Sequence, residues 1–187
     1  MQFELRGGAK SSVKLTEINS IMVRIIKDLE EILETEKWME EAEKGAKKSK
    51  CLKSQVGVVI VKEREIISRG YNKIVVSDEN FVNKEGYCSP CIREDIRNNS
   101  QVEKCYAIHA EQTALINAKT DLTDTIMYHV KIKNGKRIPI GIPSCTVCNR
   151  MIKEAGVYFV TLQKEGYVIY PPEEIVNISF KKLLGYL

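Results

Sequence analysis

From Thr16 onward apolar residues recur at threes and fours: Ile18, Ile21, Met22, Ile25, Ile26, Leu29, Ile32 and Leu33. That spacing predicts an amphipathic helix. Trp38, Met39 and Ala42 extend it, so a helix is expected over 16–48, with its stripe covering a sheet. Residues 1–15 carry no such pattern and are expected to be peripheral or poorly ordered. The period then changes. Val56-Gly57-Val58-Val59-Ile60-Val61 is nearly continuous apolar sequence, as in a strand buried on both faces. Lys62 to Glu65 turn the chain, and Ile66 to Tyr71 return as a second strand ending at Asn72.

Residues 73–107 are polar and irregular, and too long for a simple connection. A helix is predicted from His109 to about Lys119 and a strand near Thr125 to Lys133. Asn134-Gly135 is a hairpin turn signal, so Lys136 to Ile142 is expected to pair back. A helix beginning at Cys145 should end before Gly156, a natural left-handed cap. Val157 to Leu162 and Val168 to Tyr170 read as strands. Pro171-Pro172 interrupts the chain, and Glu173-Glu174 open a last helix to about Leu184. Strands alternating with helices predict an α/β fold in three layers, α/β/α, around a central mixed sheet of about five strands. The expected organisation is one domain over 16–187, with an N-terminal helix at 16–48 and a core at 51–187.

The totals change this picture little. The 187 residues are 43% hydrophobic and 29% charged, with a formal net charge of +4, which selects no partner. The first residues lack the apolar core of a signal peptide, and no apolar run reaches membrane-spanning length, so a cytoplasmic protein is expected. In that reducing compartment six cysteines read as metal ligands in preference to disulfides. Five lysines between Lys44 and Lys53 could form a phosphate-binding patch, but lysines also suit a helix C-terminus.

Chemistry enters with two short stretches, His109-Ala110-Glu111 and Pro143-Ser144-Cys145-Thr146-Val147-Cys148. One imidazole and two thiols supply three metal ligands, and catalytic zinc keeps three protein ligands with an open position for water. Residues two apart on a helix point about 200° from one another, so His109 and Glu111 can converge only at a helix's first turn. Cys145 and Cys148, three apart, share a face where a helix begins. Two helix N-termini would then meet at the metal, favouring thiolate over thiol. Glu111 is left outside the metal shell for proton transfer, the arrangement of the zinc deaminases.

From Cys51 to about Leu162 the chain resembles the cytidine and deoxycytidylate deaminase superfamily, most nearly its deoxycytidylate (dCMP) deaminases. The carrying residues are Ser54-Gln55-Val56-Gly57-Val58-Val59-Ile60-Val61, Ile66-Ile67-Ser68-Arg69-Gly70-Tyr71-Asn72, His109-Ala110-Glu111 and Cys145-Thr146-Val147-Cys148. The resemblance implies a helix-flanked, five-stranded deaminase sheet. It implies zinc held by His109, Cys145 and Cys148, with Glu111 as the catalytic proton carrier in hydrolysis at C4 of a cytosine. Asn72 is implied to contact the sugar, its bland alternative being a turn asparagine, and the Ala110 backbone to face the pyrimidine carbonyl. Homo-oligomers are also implied. The chain departs from the family where Ser144 stands between Pro143 and Cys145, where Lys73 follows Asn72, and in an added hairpin at 131–142.

Cys51, Cys88, Cys91 and Cys105 remain. Some deoxycytidylate deaminases carry a second, structural zinc in this region, and a four-thiolate site would fold the polar 73–107 stretch. The alternatives are free thiols, a disulfide within 88–91, or His129 replacing one cysteine. The expected substrate is a small pyrimidine nucleotide, with dCMP first. Its phosphate could meet Arg64, Arg69, Lys73 or Lys119. Deamination within RNA or single-stranded DNA is a second reading, weakened by the lack of aromatic residues interleaved with basic ones. A zinc-stabilised binding protein is a third, and it leaves Glu111 unexplained.

Overall fold

The computed structural model describes residues 22–93, 104–141 and 143–187. In chain order β1 (Arg24–Ile25) leads to α1 (Leu29–Ala46), followed by the hairpin of β2 (Gln55–Lys62) and β3 (Glu65–Tyr71). Two short strands, β4 (Lys73–Ile74) and β5 (Ala107–Ile108), bracket the polar stretch, and α2 (Ala110–Asn117) follows. Then come β6 (Ile126–Lys133), β7 (Lys136–Arg137), α3 (Thr146–Glu154), β8 (Tyr158–Gln163), β9 (Gly166–Tyr170) and α4 (Pro172–Leu183).

The main sheet runs in the order β1-β9-β8-β6-β2-β3, with β7 beside β6. β6 and β8 are parallel and the other pairings antiparallel, so the sheet is mixed. It has seven strands where about five were expected; the two extra, β1 and β7, are two residues each. Alternation sorts the side chains. Val59, Val61, Tyr128, Val130 and Ile132 pack with Trp38, Met39 and Ala42 of α1 on one face. Val58, Ile60, Met127 and Phe159 pack with Ala110 and Ala114 of α2, Ile152 of α3 and Ile175 of α4 on the other. Both faces are therefore covered, which explains the continuous apolar run of β2. The turn between β2 and β3 places Glu63 and Arg64 at φ 50° and 63°, the left-handed pair of a two-residue hairpin.

Within the described residues, the helix expected over 16–48 is corrected to one beginning at Leu29; residues 16–21 and the N-terminal stretch 1–15 lie outside them. Asp28 caps it, its carboxylate accepting from the Glu31 N–H at 3.0 Å. Just before the cap, Arg24 and Ile25 pair with Ile169 and Val168, and the Ile26 N–H donates to the Tyr167 carbonyl at 2.8 Å. The stripe that suggested an earlier start is not a buried face: Met22, Leu29 and Leu33 are largely exposed. The buried face is Thr35, Trp38, Met39, Ala42 and Ala46. The returning hairpin is also shorter than Lys136 to Ile142. Pro139 has no N–H for a ladder, and the Ile140 N–H crosses to the Leu162 carbonyl at 3.0 Å.

Two glycines set the helices against the sheet. A Cβ on Gly57 would fall 2.0 Å from the Ala42 carbonyl oxygen in α1, and one on Gly70 would fall 2.1 Å from the Ala110 carbonyl oxygen in α2. Close approach of helix to strand at each point needs the missing side chain. Among the described residues no helix is long and apolar enough to cross a membrane.

Candidate metal centre

β4 and β5 pair antiparallel and carry the chain into α2. His109 is the N-cap, in extended conformation at φ −75° and ψ 156°. Its N–H donates to Gln112 Oε1 at 3.0 Å, and its carbonyl accepts from Thr113 Oγ1 at 3.0 Å. The whole turn is seated by Gly70 and by the Ser68 hydroxyl, which donates to the Ala114 carbonyl at 2.6 Å. Cys145 occupies the same place on α3, at φ −74° and ψ 157°, its sulfur accepting from the Cys148 N–H at 3.4 Å.

The two helix starts converge. His109 Nδ1 lies 3.4 Å from Cys145 Sγ and 3.3 Å from Cys148 Sγ, and the three donor atoms sit within 4.8 Å of one another. Tetrahedral zinc with its usual bond lengths holds nitrogen and sulfur about 3.6 Å apart, so the trio fits that ion in spacing and in donor type. Hydrogen bonding from Cys148, and then from His109, holds the Cys145 thiol well below its ordinary range. Cys148 is pushed up by the proton it shares with Cys145 and by burial. His109 is raised, first through its hydrogen bond to Cys145. Such a pair yields its second proton when a cation arrives.

Glu111 is 4% exposed. Its Oε1 accepts from the Ser144 hydroxyl and faces His129 Nε2 at 3.7 Å, beyond hydrogen-bond length. Burial alone would raise this carboxyl, but the imidazoles of His129 and His109 and the serine hydroxyl hold it below the usual carboxylate range. Burial lowers the pKa of His129 while the Glu111 carboxylate pulls it the other way, and the ring lies 5.2 Å from that of Phe159. A cleft of about 630 Å³ opens over these groups. Asn72 and Ala110 line it. The Asn72 amide is also committed to the fold, accepting from the Val56 N–H at 2.8 Å and donating to the Ser54 carbonyl at 3.0 Å.

Several expected residues lie elsewhere. Arg64 faces Glu34 and Glu30, and Arg69 faces Glu41, both along α1; neither they nor Lys73 and Lys119 line the cleft. The cations that do are Lys53, Arg93, Lys131 and Lys182. His129 belongs beside Glu111 and is no substitute for a cysteine in a second cluster. Alternation along β6 was the available signal, since Met127, His129 and Lys131 share a face once Met127 is placed in the core. Cys51, Cys88, Cys91 and Cys105 are all free, which corrects the disulfide alternative at 88–91. They share a neighbourhood: burial, then the charges of Cys91, Cys105 and Cys51, push the Cys88 thiol up to about 11. Among the described residues, however, the His109 trio is the one group of three or more such ligand atoms gathered within 4.8 Å.

The family model described as the cytidine and deoxycytidylate deaminase zinc-binding region matches residues 33–164. Deoxycytidylate deaminase of Saccharomyces cerevisiae is 38% identical over 120 residues, covering 64% of this chain and 34% of that protein. Deoxycytidylate deaminase of Mycobacterium phage D29 is 26% identical over 123 residues, covering 65% of this chain and 88% of that protein. This chain thus spans about a third of the yeast relative's length. The dCMP deaminase of cyanophage S-TIM5, solved in complex with dCMP and dUMP, aligns at a TM-score of 0.46 and 21% identity, over 73% of this chain and 85% of that one. Because the family match runs from α1 through β8 and takes in both halves of the ligand motif, the chain belongs to the cytidine and deoxycytidylate deaminases defined by that zinc-binding region.

Proposed function

We propose that this protein is a zinc-dependent hydrolase that converts a cytosine nucleotide, dCMP, to the uracil nucleotide, dUMP, with release of ammonia. The observation carrying this reading is a buried carboxylate, Glu111, beside a histidine–dithiol trio at a cleft that also holds lysines. His109, Cys145 and Cys148 would hold the ion. When bound, zinc supplies a water of near-neutral acidity. Glu111 would take a proton from the attacking water, deliver it to ring N3, and pass the second to the departing amine. A C–O bond forms at C4 by addition as the C4=N3 double bond opens, the C–N bond then breaks by elimination as C4=O forms, and one water is consumed for each ammonia released.

Asn72 keeps one amide hydrogen and one lone pair beyond its two backbone bonds, enough to meet a sugar hydroxyl. The Ala110 backbone is placed to meet the pyrimidine carbonyl. Lys131 stands two residues from His129 on the same face of β6, about 7 Å along the strand, a span suited to a 5′-phosphate. Burial lowers its pKa, and the neighbouring cations Lys133, Lys53 and Arg93 lower it further. An anion would relieve that repulsion. Self-association, implied by the resemblance, is read by light scattering in solution.

Ammonia release measured over cytosine, cytidine, deoxycytidine, their monophosphates and a short RNA tests the assignment. We expect dCMP to lead, and Glu111→Gln to lose at least about 100-fold in kcat while keeping its zinc. Turnover of the RNA alone would replace the nucleotide reading.

A further inference from the structure

The geometry points to Ser144 as a positioning residue, whose hydroxyl fixes Oε1 of Glu111 and thereby leaves Oε2 to carry the proton. Ser144 takes this role only if Glu111 is the proton-transfer group assigned above. The contact is interior on both sides: Glu111 is 4% exposed and Ser144 is 8% exposed, and the hydroxyl donates to Oε1. His129 Nε2 faces that same oxygen at 3.7 Å. Both neighbours therefore crowd one end of the carboxylate, which sets the rotation of the side chain about its last bond. A carboxylate that must meet water, ring nitrogen and amine in turn gains rate from being held at one angle.

Ser144 is itself fixed. Its carbonyl accepts from Asn149 Nδ2 at 3.3 Å, and the same amide group donates to the Ile175 carbonyl at 3.3 Å, tying the start of α3 to α4. Asn149 is fully buried. The hydroxyl has one proton, which goes to Glu111 Oε1, and a Cys148 thiolate is the competing acceptor.

The test compares Ser144→Ala and Ser144→Thr in the zinc-loaded full-length protein. We expect Ser144→Ala to lower kcat for dCMP by about ten- to a hundredfold, with KM and zinc retention against a chelator unchanged, and Ser144→Thr to restore most of the rate. A kcat within about twofold of the parent, or a loss of zinc retention in step with activity, would overturn the role; the latter would assign the hydroxyl to Cys148. A second reading needs no turnover. Melting temperatures of Ser144→Ala, Glu111→Gln and the double variant should be non-additive if the two side chains are bonded. Additive shifts overturn the contact. If the parent deaminates nothing, the function above fails and the positioning role with it, while this thermal cycle still decides the Ser144–Glu111 contact.

Discussion

Glu111 and Lys131 are both charged groups drawn into the same cleft, and their surroundings differ in kind. Glu111 is compensated by a hydroxyl and two imidazoles. Lys131 has its pKa lowered by burial and then by the neighbouring cations Lys133, Lys53 and Arg93. A charge-assisted hydrogen bond to phosphate is worth about 1.5–3 kcal/mol, so Lys131→Gln should reduce the preference for dCMP over deoxycytidine by about tenfold or more. Comparing kcat/KM for the two substrates measures it. An unchanged ratio would place the phosphate elsewhere on the wall. At this scale the sequence showed His109, Glu111, Cys145 and Cys148 because each pair is close along the chain, and short spacing at a helix start fixes direction. It did not show His129, Ser144 or Lys131, because their meeting depends on strand register and on how α3 docks against α2. Asn72 was visible as a strand-end amide, but not its two bonds to the start of β2.

The element that the pattern misplaced is the first helix. Its predicted stripe mixed a buried residue just past β1, Ile26, with helix residues that face outward, and threes and fours alone cannot separate them. Asp28 was the missed signal, a capping residue followed three positions on by Glu31. Further along, α1 is tied to the sheet edge by Arg137 of β7, whose guanidinium bridges Glu36 and Glu43. The Tyr167 hydroxyl of β9 donates to the same Glu36. None of these pairings was legible, since their partners lie between 94 and 131 residues apart in sequence. Because Glu36 is 40% exposed, the bridge is worth only about 1 kcal/mol. Arg137→Ala should lower the melting temperature by about 2–4 °C and leave dCMP turnover alone. A larger loss would mean that β7 holds more than the end of α1.

For the whole molecule the open quantity is how many ions it folds around. Cys51, Cys91 and Cys105 lie near enough to Cys88 for their charges to raise its pKa, and Cys88, Cys91 and Cys105 fall in the polar 73–107 stretch. We expect two zinc ions per chain by elemental analysis, and a chelator to lower the melting temperature in two steps. One ion per chain would leave the four thiols as neighbours without a metal. The layered fold was readable from alternation of strands and helices. The order of the sheet was not, since it depends on pairings between distant segments. Gly57 and Gly70 sit on adjacent strands, one register step apart, and each admits a helix on an opposite side. A single added methyl at these two places therefore probes two different layers of one molecule. Alanine at 57 should lift α1 and lower the melting temperature while the surviving fold still turns over. Alanine at 70 should lift α2 instead, carrying His109 and Glu111 off their target, so that activity vanishes from protein that keeps its shape by circular dichroism.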